Sequence, residues 1–214
     1  MCLGHRELAN MLSQELGVSV FTTEYDILIL LHEAGEASFT DLYFHLQTSG
    51  STIGRKLGRL RDKGLIKSRL NETDLRRRKF VLPDNVRKFL DTELAYFSSW
   101  EIPEAEPRDK ALSLVKNLKR DLGVEVLAQK YKLIIGCYSQ NGPSASALLE
   151  FAAISQGSFF TRLKELQENG PIHSVKETDD QRKSRIYLSE HVAGAVAYAH
   201  AEMYKWASRT LPSI

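Results

Sequence analysis

The chain carries one sequence pattern twice. Residues 8–100 align with residues 114–206 at a constant offset of 106 without a gap, and 22 of the 93 aligned pairs are identical. Gly17 aligns with Gly123, and Tyr25 with Tyr131. Repetition at a fixed period indicates two copies of one structural unit. The 214 residues suit two domains of about 100 residues each, large enough to bury a core without metal or disulfide bonds.

Composition says more about the cellular compartment of the protein than about its function. The two cysteines, Cys2 and Cys137, are too few for a disulfide framework, which favours a reducing compartment. The longest apolar run, Ile27–Leu31, is far shorter than the roughly 18 residues that a membrane-spanning helix needs. The first residues carry no apolar segment typical of a signal peptide. We therefore expect a soluble cytoplasmic protein with no membrane partner.

Each copy is predicted to contain four helices, a β-hairpin and a last helix. Apolar spacing and glycine or capping residues give the bounds. In the first copy these are helices Arg6–Leu16, Glu24–Ala34, a short helix to Leu46 with a Ser38/Asp41 capping box, Gly50–Lys63 and Val86–Trp100, with strands Ile66–Leu70 and Lys79–Leu82. In the second copy they are a helix to Leu122, one from Gln129, a short one after Pro143-Ser144, Gln156–Asn169, a hairpin within Ile172–Leu188 and a helix to Ser208.

A proline-containing acidic segment separates the copies. It holds two prolines and three glutamates, a composition typical of a linker. The predicted domains are residues 1–100 and 109–214, with residues 101–108 as the linker. The predicted fold class is mainly α (α+β), with two tandem winged helix-turn-helix domains that form an intramolecular pseudo-dimer.

The order helix, helix, short helix, helix and hairpin is that of a winged helix-turn-helix, whose last helix enters the DNA major groove. In the first copy this recognition helix is Gly50–Lys63, and the hairpin tip carries four consecutive cations. A basic helix beside a basic wing suits phosphate and base contacts. The candidate DNA-binding residues of the first copy are Ser51, Thr52, Arg55, Lys56, Arg59, Asp74, Arg76, Arg77, Arg78 and Lys79. Those of the second copy are Ser158, Thr161, Arg162, Arg182, Lys183 and Arg185.

Two motifs in each copy resemble the multiple-antibiotic-resistance regulator (MarR) family of bacterial transcription factors. They are SGSTIGRKLGRLRDKG with DLRRRKFVL in the first copy, and SQGSFFTRLKELQENG with DQRKSRIYL in the second. The resemblance implies that Asp74 orients Arg76 toward the minor groove, and that Asp180 does so for Arg182. It also implies dimerisation through the first and last helices, which in a fused pair gives the internal pseudo-dimer. Double-stranded DNA is then the expected partner, and the expected function is that of a sequence-specific transcriptional regulator related to the repressors of the bacterial type.

The two copies differ in charge. Residues 48–79 contain 11 Lys and Arg against 3 Asp and Glu, whereas residues 154–185 contain 6 against 5. On the recognition helix, Thr161 replaces Arg55 and Glu165 replaces Arg59. Since an acidic side chain is repelled by phosphate, we expect the first copy to bind DNA more strongly, and E165R to tighten binding.

Other interpretations stay open. Tandem winged helices also build protein-interaction scaffolds with no nucleic-acid role, and a homodimer of these chains is an alternative to a single-chain pseudo-dimer. A single-strand binder would need exposed aromatic side chains among the cations. His32 and His45 with acidic neighbours could bind zinc, and Cys2 could sense oxidants, but ordinary structural roles are favoured for all three. The aromatic residues Tyr96, Trp100, Tyr204 and Trp206 favour interface packing over a pocket for a small aromatic effector. We predict no cofactor, no metal and no enzymatic activity.

Overall fold

A computed structural model describes residues 4–46, 48–70, 78–98, 107–177 and 183–209. The helices are α1 (Gly4–Leu16), α2 (Thr23–Ala34), α3 (Phe39–Leu46), α4 (Gly50–Asp62), α5 (Asp84–Ser98), α6 (Pro107–Leu122), α7 (Gln129–Gln140), α8 (Ala145–Ala152), α9 (Gln156–Glu168) and α10 (Glu190–Arg209). The strands are β1 (Glu36–Ser38), β2 (Lys67–Leu70), β3 (Arg78–Val81), β4 (Ile172–Lys176) and β5 (Ser184–Leu188). No described helix is both long and apolar enough to cross a membrane.

The chain divides into two compact units that do not follow the two sequence copies. The central unit is Thr22–Val126, and the terminal unit combines Met1–Phe21 with Leu127–Ile214. In the terminal unit α1 packs along α10, and in the central unit α6 packs against α5. Each unit therefore takes its first helix from the other sequence copy. The predicted boundary at residues 101–108 concerns the point at which the two sequence copies meet, and it remains a prediction.

The predicted linker overlaps the start of α6. Residues 101–106 lie outside the described part of the chain, but Pro107 and Arg108 are the first two residues of the helix. Proline is common at the first position of a helix because its missing N–H would have no helical partner there. The last two residues of the predicted linker thus coincide with the first turn of α6.

The three middle helices of each copy begin and end at the offset seen in the sequence. Helices α2, α3 and α4 match α7, α8 and α9 residue for residue at an offset of 106. The turn glycines also correspond, because Gly17 and Gly123 have φ values of 62° and 60°. Both are left-handed conformations that glycine adopts without strain. The two copies therefore share helix bounds and helix-ending geometry.

A short antiparallel bridge joins the segments that follow α1 and α6. Phe21 pairs with Leu127, its equivalent in the other copy. The Thr22 N–H donates to the Val126 carbonyl at 2.8 Å in the central unit, and the Ala128 N–H donates to the Val20 carbonyl at 2.9 Å in the terminal unit. These two bonds are equivalent under the offset of 106, so the bridge is reciprocal.

The sheets form the wings. In the central unit the strand order is β1-β3-β2, antiparallel throughout, whereas the terminal unit has the two-stranded sheet β4-β5. The sequence did not predict β1, which has only three residues and follows Gly35 directly. In the terminal unit its place is taken by a single bridge between Ser144 and Arg185.

The helix faces predicted to be apolar are buried. The nearly all-apolar α2 has Tyr25 and the whole run Ile27–Leu31 in the core of the central unit, as its position among other elements requires. In the terminal unit the fully buried residues include Leu133, Ile134 and Phe159. Each unit thus holds its recognition helix against an apolar core.

Candidate nucleic-acid interface

The amino end of α4 is fixed by a side-chain cap. Ser49 is extended at its backbone, and its hydroxyl oxygen accepts the Thr52 N–H at 3.3 Å. The Ser49 hydroxyl also lies 3.1 Å from that of Ser51 and donates to the Thr52 hydroxyl at 2.9 Å. Serine caps stabilise helix starts because they satisfy an N–H that has no partner within the helix. The predicted contact residues Ser51 and Thr52 are therefore held at the start of the recognition helix.

One face of α4 is committed to the core and the other is cationic. Ile53, Leu57 and Leu60 are buried, as predicted. On the opposite side Arg55 and Arg59 are exposed and have no ion-pair partner among the described residues. With Ser51 they are spaced four residues apart, so the three side chains form one stripe along the helix. We call Ser51, Arg55 and Arg59 the cationic stripe.

Lys56 does not belong to that stripe. Its ammonium lies 2.6 Å from the Glu24 carboxylate of α2, and the two side chains are only 21% and 19% exposed. The prediction grouped Lys56 with the DNA-contacting cations because it lies on the basic helix. The structure places it instead between two helices of the same unit, where it ties α4 to the start of α2.

The first wing is described only in part. The predicted residues Asp74, Arg76 and Arg77 lie outside the described residues, whereas Arg78 is exposed at the start of β3. The Lys79 ammonium pairs with the Glu36 carboxylate of β1. Lys79 therefore braces the sheet.

Glu36 also pairs with a second cation of the wing, Arg69 of β2. Hydrogen bonds from Lys79 first and then from Arg69 hold the pKa of Glu36 below its ordinary value. One carboxylate thus links all three strands of the sheet.

The recognition helix of the terminal unit has the same cap but different charges. The Ser155 hydroxyl oxygen accepts the Ser158 N–H at 3.4 Å, which matches the cap of α4. The Thr161 hydroxyl donates to the Gly157 carbonyl within the helix at 2.9 Å. Arg162 donates to the Glu165 carboxylate, with 3.0 Å to each oxygen. The predicted contact residues Ser158, Thr161 and Arg162 are thus all bonded within the helix.

A cation of the second wing, Arg185, is bonded within its own unit. Arg182 lies outside the described residues, and Lys183 is exposed before β5. The Arg185 guanidinium is 2.6 Å from the Glu177 carboxylate and also donates to the Gly142 carbonyl at 3.5 Å. Arg185 therefore holds the hairpin to the segment before α8.

His32 and Cys137 have structural surroundings. His32 is 2.7 Å from the Asp91 carboxylate of α5, and no group of three metal-binding side chains occurs among the residues described. Cys137 is buried, and burial raises the pKa of its thiol to about 12. A thiol with so high a pKa as that of Cys137 is almost entirely protonated near neutral pH and is a poor nucleophile. Cys2 lies outside the described residues.

A pocket for a small aromatic effector between the first and last helices was the less favoured interpretation of the aromatic residues. A groove of about 410 Å³ lies between α1 and α10 of the terminal unit. Its lining consists of Met11, Leu12, Glu15, Glu190, His191, Gly194, Ala195, Tyr198 and Ala199. The aromatic side chains that motivated the prediction, Tyr96, Trp100, Tyr204 and Trp206, lie outside the described side chains.

Comparison with known proteins identifies the central segment. The model of the MarR family matches residues 22–77, which span α2, β1, α3, α4 and β2 of the central unit. Residues 22–77 are the part of this chain that is similar to the MarR family. The MarR segment contains the cationic stripe, and its mostly helical fold with a small antiparallel sheet is the winged-helix fold of that family.

Solved structures with similarity to the chain include several MarR-type proteins. The S. aureus MepR–DNA complex is 20% identical, covers 54% of this chain and 90% of its own, and has a TM-score of 0.35. Reduced AbfR bound to DNA is 24% identical, with 54% and 83% covered and a TM-score of 0.33. NadR in complex with 4-hydroxyphenylacetate is 16% identical, with 48% and 71% covered and a TM-score of 0.35. No curated protein matches the chain.

Proposed function

We propose that this protein is a sequence-specific, double-stranded DNA-binding transcription regulator of the MarR type, and that the winged helix of the central unit is its stronger DNA-binding element. The observation that carries the proposal is the cationic stripe. Arg55 and Arg59 lie on the exposed face of a capped, well-packed recognition helix, and neither has an ion-pair partner among the described residues.

Unpaired guanidiniums suit this role for two reasons. Each can neutralise a phosphate and release a condensed counterion, which gives affinity that falls with salt. Each can also donate two hydrogen bonds to one guanine edge in the major groove, which gives sequence preference. A cation already paired with a carboxylate must break that pair first. Lys56 and Lys79 are paired in this way and so contribute less.

The terminal unit supports the asymmetric part of the proposal. At the positions of the cationic stripe it has Gly157, Thr161 and Glu165, which carry no positive charge. The described cations of α9, Arg162 and Lys164, are both near carboxylates, at 3.0 Å and 3.7 Å respectively. We infer a DNA site with one well-defined half and one degenerate half.

We also propose that the two winged helices act as an internal pseudo-dimer. The exchange of first helices between the sequence copies and the reciprocal bridge at Phe21 and Leu127 support this. Sedimentation of the full chain with one duplex distinguishes it from a homodimer, since the pseudo-dimer binds as one chain per duplex. A small aromatic effector stays a prediction, testable by the thermal shift that hydroxylated benzoates or phenylacetates cause.

The deciding experiment measures the salt dependence of duplex binding. A preferred duplex is first selected from genomic fragments, and affinities are then compared between 50 and 200 mM salt. Each phosphate contact contributes about 0.9 to the slope, so R55A/R59A should flatten it by about 1.8. The variant's affinity relative to the unmodified chain should thus rise about 12-fold across this range, because fewer ions are released.

The matched control is R162A/K164A, which removes the same net charge from the recognition helix of the terminal unit. We expect its slope to stay within about 0.5 of the unmodified chain. An equal flattening in both variants would show that net charge alone matters, and would contradict the asymmetry. A chain that binds no selected duplex at all would favour the protein-interaction scaffold.

A further inference from the structure

One carboxylate ties the recognition helix of the terminal unit, α9, to the neighbouring helix α7. The Glu165 carboxylate of α9 lies 2.9 Å from the Lys130 ammonium of α7 and 3.0 Å from the Arg162 guanidinium one turn earlier on α9. The three side chains are between 30% and 40% exposed, so the cluster is partly shielded from water. Hydrogen bonds from Lys130 first and then from Arg162 lower the pKa of Glu165. Glu165 is therefore ionised and committed to two cations of its own unit.

The central unit has the same cluster with the charges exchanged. Under the offset of 106, Lys130, Arg162 and Glu165 correspond to Glu24, Lys56 and Arg59. In both copies the three positions hold two cations and one carboxylate. In the central unit the carboxylate sits on α2, where it pairs with Lys56 and leaves Arg59 without a described partner.

The position of the carboxylate decides what the recognition helix presents. On α2 it binds the inner cation of the recognition helix, and the outer cation stays available to a phosphate. On α9 it occupies the outer position itself and binds the inner cation as well. The net charge of the cluster is the same in both copies, yet only the central unit keeps a free guanidinium at this position.

We propose that the placement of this one carboxylate is a specificity-determining device that silences the recognition helix of the terminal unit, with Glu165 and Lys130 acting as a coupled pair. The inference rests on the proposed DNA-binding function. It follows that E165R alone adds a cation at the outer position only at a cost in stability. That substitution leaves three cations together on α7 and α9, which repel one another.

The test compares E165R, K130E and the double variant E165R/K130E with the unmodified chain. The double exchange leaves the net charge unchanged and rebuilds the arrangement of Glu24, Lys56 and Arg59. We expect E165R to lower the melting temperature and the double variant to recover most of that loss, because the new carboxylate on α7 again pairs with Arg162. K130E is also expected to be less stable, since it places two carboxylates beside one guanidinium.

The salt dependence of DNA binding is the second readout. It would not change if the cluster had only a structural role. On a duplex with two copies of the selected half-site, the double variant should steepen the salt slope by about 0.9, so that its affinity advantage falls about 3.5-fold between 50 and 200 mM salt. Recovery of stability with an unchanged slope would overturn the proposal, as would additive stability effects of the two substitutions. Absence of duplex binding by the unmodified chain and all variants would overturn the proposed function and this inference together.

Discussion

Removal of one arginine should measurably destabilise the central unit. The Arg87 guanidinium of α5 donates to three carbonyls at the end of α2, with 3.1 Å to His32, 3.1 Å to Gly35 and 3.4 Å to Leu31. The last carbonyls of a helix have no partner within the helix, so this side chain caps α2. A hydrogen bond to a charged group contributes about 1.5–3 kcal/mol when buried. Arg87 is only half-buried and one of its bonds is long, so R87A should cost about 2 kcal/mol in total.

The assay is urea unfolding followed by tryptophan fluorescence or circular dichroism, with R87A compared against K88A. Lys88 is the next residue, is exposed, and its removal changes the net charge by the same amount. K88A should stay within about 0.5 kcal/mol of the unmodified chain. R87K should fall between the two, because an ammonium keeps the charge but lacks the planar fork. Equal losses for R87A and K88A would refute the capping argument.

Three further predictions concern the terminal unit and the wing. G142A should lower the stability of the fold more than G170A. Both glycines have φ near +88°, but only a Cβ at Gly142 would meet the Tyr187 ring. Paired melting curves test this prediction, and equal shifts in melting temperature would contradict it. Hydrogen bonds from Ser38 hold the pKa of Asp41 below its ordinary value, so Asp41 stabilises the fold above about pH 4 and loses this effect as the pH falls through the lowered pKa. D41N should therefore be less stable than the unmodified chain at pH 7 and equal to it near pH 2, and a gap that did not narrow would argue against the cap. The Cys137 thiol, with its pKa near 12, should resist iodoacetamide at pH 8 until urea unfolds the chain, whereas labelling of the folded protein would contradict its burial.

Local signals in the sequence predicted the helix starts well. Ser49 and Ser155 cap the two recognition helices, and the reciprocal bonds between Ser38 and Asp41 form the predicted capping box, at 2.8 and 3.2 Å. These features depend on residues three or four positions apart, so a single sequence contains the whole signal. The three-residue strand β1 was missed because its pairing with β3 links residues about 40 positions apart.

The partners of the charged side chains could not be predicted in the same way. Lys56 and Arg59 lie three residues apart on one helix and look equivalent in the sequence. Lys56 differs because α2 brings Glu24 to within 2.6 Å of its ammonium, and that contact spans 32 residues. The exchange of first helices likewise depends on contacts between segments far apart in the chain. The repeat in the sequence was enough to locate the recognition helix. Only the structure shows which of its cations have no ion-pair partner among the described residues.

The exchanged helices impose an order on synthesis. The central unit is continuous, so all of its residues have been translated once residue 126 is added. The terminal unit is different, because α1 is made first and α10, against which it packs, is made last. While the ribosome adds the intervening residues, the apolar side of α1, including Leu12 and Leu16, has no native surface to cover it. A nascent chain therefore carries one finished winged helix and one exposed apolar helix at the same time, which makes α1 the segment of this protein that a chaperone would be expected to bind.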